Sequence, residues 1–173
     1  MGEYALTCVG RERMFEHQSR TTGMPVTLIG STTRTRFDTG SWWTSASACS
    51  RGPVDVTTGH VNVIWQGDAC AAILAAFDMC ASPPAVLNVT GPGTIAVRDI
   101  AERLARLLGR PAPRITGTEA PTALLSDASL MLGRYGEPQV PLDQLLEWTA
   151  AWVAGGGALL GKPTGFQNRD GRF

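Results

Sequence analysis

Lysine is almost missing from this chain of 173 residues: Lys162 stands alone, and every other cation is arginine. We read that as codon composition rather than chemistry. The balance of 15 Lys+Arg against 15 Asp+Glu leaves a formal net charge of zero. No excess of one sign therefore attracts nucleic acid or an anionic membrane. Histidine is scarce too, with only His17 and His60. Cys8, Cys49, Cys70 and Cys80 form no CxxC pair, and a structural zinc site needs closely spaced Cys or His ligands, so no metal is expected. The plain expectation is reduced thiols, with Cys70 and Cys80 packed on a helix face. No apolar run approaches the roughly 20 residues that span a bilayer. No basic start with an apolar stretch marks a signal peptide, so a cytoplasmic setting is the default. No Gly-x-Gly-x-x-Gly turn follows a strand. Gly91-Pro92-Gly93 and Gly155-Gly156-Gly157 read as loop and helix-stop glycines.

What is present reads as globular, with 43% hydrophobic and 17% charged residues in one domain-sized length. Residues 4 to 22 have helical spacing, with Tyr4, Cys8 and Arg11 on one face, and Gly23 and Pro25 end the helix. Val26 to Ile29 reads as a buried strand. Residues 53 to 65 read as short extended segments broken at Thr58-Gly59. A helix starts near Gly67-Asp68 and stops at Ser82-Pro83-Pro84. Val86 to Val89 is the next strand. A third helix carries Val97, Ile100, Ala101, Leu104, Leu107 and Leu108 on one stripe, with Gly109 just beyond. Leu124 to Leu132 is a weaker helix, and Pro141 opens a last one through Leu145, Leu146, Thr149, Trp152 and Val153. Leu160 to Phe173 reads as an irregular tail. Alternating strands and helices indicate an α/β fold.

In their order, these pieces resemble the C-terminal half of an NAD(P)-dependent epimerase/dehydratase, an extended short-chain dehydrogenase/reductase. Tyr4 takes the place of the tyrosine in that family's Tyr-x-x-x-Lys motif, Glu12 that of a following glutamate, and Gly23 to Ile29 that of the next turn and strand. Trp65-Gln66-Gly67-Asp68 is similar to the turn that opens the next helix. Val86-Leu87-Asn88-Val89-Thr90-Gly91 is similar to a later strand, and Ala96 to Ile100 with Leu108-Gly109-Arg110-Pro111 to a later helix. The resemblance implies an incomplete Rossmann-like sheet followed by a small substrate-side domain. It divides the chain into a partial Rossmann-like segment at 1–93 (irregular over 30–52), a substrate-side subdomain at 94–157 and a tail at 158–173. It also implies hydride transfer with a nicotinamide, Tyr4 acting as acid/base on a substrate hydroxyl, often that of a nucleotide sugar. The lysine that normally holds the nicotinamide ribose is replaced by Cys8, and a neutral thiol supplies no charge. Arg11 is a poor substitute because its head is planar and its reach longer. The cofactor NAD(P) is thus implied by the family but not expected to bind this chain alone. The expected partners are an N-terminal Rossmann half in trans, or a second copy by self-association, together with poor solubility. The alternative is a non-catalytic binding module or degenerate remnant of the family.

Residues 30 to 51 break the pattern, with Ser and Thr at ten of 22 positions. An authentic polar loop of that length is uncommon in a compact domain. The competing explanation is translation out of frame. One base lost before Gly30, with recovery near Gly52, would restore Gly30 to Arg34 as Arg-Leu-Asn-Tyr-Ala and Phe37 to Ser45 as Val-Arg-Tyr-Gly-Val-Leu-Val-Asp-Leu. Arg34, Arg36, Trp42 and Trp43 form the only basic-aromatic cluster and lie inside this stretch, so nucleic acid is not an expected partner.

Overall fold

The computed structural model describes residues 2–31, 34–35 and 52–158. Most of the Ser/Thr-rich segment and the tail from 159 onward lie outside the described residues, as do the basic-aromatic cluster beyond Arg34 and Cys49.

Helix α1 (Glu3–Thr22) ends where Gly23 turns left-handed, φ 75°, and its N–H bonds to Ser19 O at 2.9 Å. Strand β1 (Thr27–Ser31) runs two residues past the expected end, into the Ser/Thr-rich stretch. Short strands β2 (Arg34–Thr35), β3 (Val54–Asp55), β4 (His60–Val61) and β5 (Ile64–Trp65) follow. Helix α2 (Gln66–Ala75) continues as a 3-10 turn over Ala76–Met79. Strand β6 (Ala85–Val89), strand β7 (Ile95–Ala96), helix α3 (Val97–Leu107), strand β8 (Ile115–Thr116), helix α4 (Ser129–Tyr135) and helix α5 (Leu142–Ala154) complete the order.

The longest ladder is the parallel pair β1–β6, with Thr27 opposite Ala85 and Ser31 opposite Val89. Parallel β2–β5 and β3–β8 and antiparallel β4–β7 are two residues each. Mixed α/β architecture with a partial Rossmann-like sheet is therefore what the chain adopts.

Two apolar cores form. One gathers Val54, Val56, Val61 and Val63 with Val97, Ile100, Ala101 and Leu104 of α3 and Leu145, Leu146 and Ala150 of α5. The other gathers Ile64, Ala69, Ala72 and Ala76 with Leu87 and Val89 of β6, and with Ala128 and Met131. The first core thus draws from both sides of residue 93.

Three expectations need correction. Residues 124–128 are not helical: α4 begins at Ser129, and Leu124 is 89% exposed. Asp127 is the cause, because its carboxylate takes the Ser129 amide and hydroxyl into a local turn. Leu107 lies off the buried stripe of α3, 47% exposed, while Ala105 is buried in its stead. Cys70 is exposed rather than packed, while Cys80 is half-buried and accepts a bond from Thr27 Oγ1 at 3.5 Å.

Candidate functional site

In open parallel sheets, ligands bind outside the carboxyl ends of the strands. Here the β1–β6 ladder delivers Gly30, Ser31, Asn88 and Thr90 to that end. A Cβ on residue 30 would stand 2.6 Å from Asn88 Oδ1, so any side chain there would have to displace that amide. Asn88 in turn donates its amide N–H to Asp127 O at 3.2 Å, fastening the strand end to the 117–128 loop.

A second fastener lies beside it. Asn62, 5% exposed, donates from Nδ2 to Gly93 O at 2.6 Å and accepts the Ser126 amide on Oδ1 at 2.8 Å. One buried side chain so joins three loops at this edge. Asp127 completes the rim, and bonds from the Ser129 hydroxyl and amide hold its carboxyl below the ordinary range. The rim therefore offers the Asn88 amide and one ionised carboxylate, suited to hydrogen-bonding a polar, hydroxyl-rich ligand, while the Asn62 amide is spent inside the protein. Further off, Arg98 grips Glu119 Oε1 through Nε and Nη2 at 2.8 and 2.5 Å, which lowers the Glu119 carboxyl.

Tyr4 lies in the first turn of α1; its side chain is outside the described residues. Cys8, one turn on, is a half-buried free thiol, and Arg11 is exposed. Asn62 was missed by sequence reasoning, although an amide inside the run Val61-Asn62-Val63-Ile64 is a signal that it must bond inward.

A dinucleotide needs a turn of close-approaching glycines opening onto a helix N-terminus. The described strand-to-helix turns do not fit. Trp65 runs directly into α2, and its ring covers Gly67. At the end of β6, Gly91 is spent on packing, since a Cβ there would collide with the Val63 carbonyl. The first amide of α3, Val97 N–H, is already bonded to Gly59 O at 2.9 Å. These turns do not cradle the pyrophosphate. Among the described residues no group of His, Cys, Asp and Glu is arranged to hold a metal ion, and none of the helices is long and apolar enough to cross a membrane.

No protein-family model and no curated protein sequence matches the chain. Solved structures do. The chain is similar to RMD from Pseudomonas aeruginosa complexed with NADPH, with TM-score 0.73 at 16% identity over 88% of this chain and 56% of that one. It is similar to UDP-glucuronic acid 4-epimerase from Bacillus cereus in complex with NAD, with TM-score 0.70 at 16% identity over 87% and 50%. A UDP-galactose 4-epimerase gives TM-score 0.65 at 22% identity over 84% and 51%. The chain thus spans about half the length of the solved structures that it matches, and what it shares with them is the fold.

Proposed function

We propose that the chain is the substrate-side portion of an NAD(P)-dependent epimerase/dehydratase acting on a nucleotide sugar, competent only together with a dinucleotide-binding half. The observation that carries this is the match of 84–88% of the chain to about half of each of three such structures. The polar rim of Asn88 and Asp127 at the carboxyl end of β1 and β6 supports it, because a sugar is bound through such groups. In this reading Tyr4 contributes the acid/base hydroxyl, the nicotinamide is held by the other half, and the protein resides in the cytoplasm. Calorimetric titration of NAD and NADP into the chain tests the division of labour. Heat of binding is expected only after a dinucleotide-binding half is added, and micromolar binding by the chain alone would overturn it.

A second reading, a non-catalytic remnant or binding module, is favoured by one observation: Cys8 stands where the resemblance calls for lysine. We further propose that residues 30 to 51 are translated out of frame. Codons in the gene that cannot be re-read with one base restored before Gly30 would dispose of that idea.

A further inference from the structure

Small residues line one face of α2. Asp68, Ala71, Ala72 and Ala75 follow one another at three- and four-residue steps, which puts them on a single stripe. Opposite them stand Met131 and Tyr135 of α4 and the segment 136–139. Three methyl-sized side chains do not reach across, and a cavity of about 240 Å³ is left between the two walls. Ile64 and Met131, 3% and 2% exposed, form its floor. It shares no residue with the polar rim at the ends of β1 and β6.

A pinned strap keeps the cavity open. Gly136, left-handed at φ 81°, donates its N–H to Leu132 O at 2.9 Å and turns the chain off α4. Four residues on, the Val140 N–H donates to Asp68 Oδ2 at 3.0 Å. Pro138 lies between them, its φ fixed by its ring. Fastened at both ends, the strap does not sink into the space beneath it. Glu137 and Gln139 stand exposed at the mouth. Among the described residues that line the cavity two are charged, Asp68 and Glu137, and both are carboxylates. Arg134, beside them in the sequence, is paired with Asp78 at 3.2 Å.

We propose that this cavity is a binding site for a small organic cation, an ammonium head on a flat apolar body. The proposal goes beyond the enzymatic reading and does not depend on it. Size, wall chemistry and charge select that ligand. A cavity of roughly 150 Å³ takes a benzene ring, so this one admits a ring with a short arm. The alanines, Ile64 and Met131 give such a ring dispersion contact, and a methionine sulfur favours aromatic edges. The two carboxylates attract a cation and repel an anion, and half-buried Asp68 does so in less water than an open surface group.

Titration of benzylamine into the full chain, carrying methyl-labelled methionine, tests this. The Met131 methyl signal is expected to shift saturably. Benzyl alcohol and benzoate present the same ring with a neutral or a negative head, and each should bind about tenfold or more weakly. Ala75→Leu and, independently, Ala71→Leu put a larger side chain into the cavity from exposed positions. Each should abolish the shift, with circular dichroism confirming that the variant is folded. Glu137→Gln, at the exposed mouth, should weaken benzylamine about two- to fivefold. A Met131 signal that does not move, equal binding of benzyl alcohol, or binding that survives both leucine substitutions would each overturn the proposal.

Discussion

Asn88 Oδ1 occupies the place where a side chain on Gly30 would begin, 2.6 Å from the position of its Cβ. The two residues face each other across the parallel ladder, so the strand end is set by a glycine on one side and an amide on the other.

Gly30→Ala is therefore expected to destabilise the chain by about 1–2 kcal/mol, by pushing the Asn88 amide off Asp127 O. In an Asn88→Ala background the same substitution should cost markedly less. A double-mutant cycle by urea denaturation measures the coupling, and strict additivity would show that the contact has no energetic content.

Asn62→Ala removes the side chain that joins the Gly93 carbonyl to the Ser126 amide through two part-buried hydrogen bonds. Stranding those backbone groups should cost about 2–3 kcal/mol. The shift in urea midpoint reads it, with hydrogen exchange at the Ser126 amide accelerated. Unchanged exchange there would mean that the loop is held by something else.

Leu104→Ala and Leu107→Ala separate the two readings of the α3 stripe. Leu104 is fully buried and should lose about 2–5 kcal/mol. Leu107, nearly half exposed, should lose under about 1 kcal/mol. Equal losses would contradict the helix orientation.

The Asp78–Tyr135 pair should give stability two pH limits. The Tyr135 hydroxyl donates to Asp78 Oδ1 at 2.6 Å, and Arg134 bonds Asp78 as well. The Asp78 carboxyl is held below its ordinary value, so its contribution is present above that value and lost as pH falls through the lowered one. Partial burial and the carboxylate raise the Tyr135 phenol, so its contribution is present below its ordinary value and lost as pH rises through the raised one. Denaturation midpoints measured across acid and alkaline pH should show both limbs. Tyr135→Phe should remove the alkaline limb and soften the acid one.

Elements with a strong period were legible in the sequence. The start of α5 at Pro141, the stop of α1 at Gly23 and the left-handed Gly109 after α3 all follow from single residues with fixed backbone preferences. Strands β7 and β8 were not legible, because two residues carry no alternation; they exist only through partners 36 and 61 positions away, in the pairs His60–Ala96 and Val54–Ile115. The Asn62 bridge was hidden for the same reason, since its meaning lies in Gly93 and Ser126. Leu107 misled because a leucine on the edge of a helical stripe has the same spacing whether or not a neighbour covers it.

Val63 and Ile64 are consecutive, yet one belongs to the core under α3 and α5 and the other to the core under β6. Slipping this segment by one position would hand each core the other's side chain. Single-residue insertions near 63–64 are therefore the ones the chain should tolerate least, and a library of random duplications would be depleted there first.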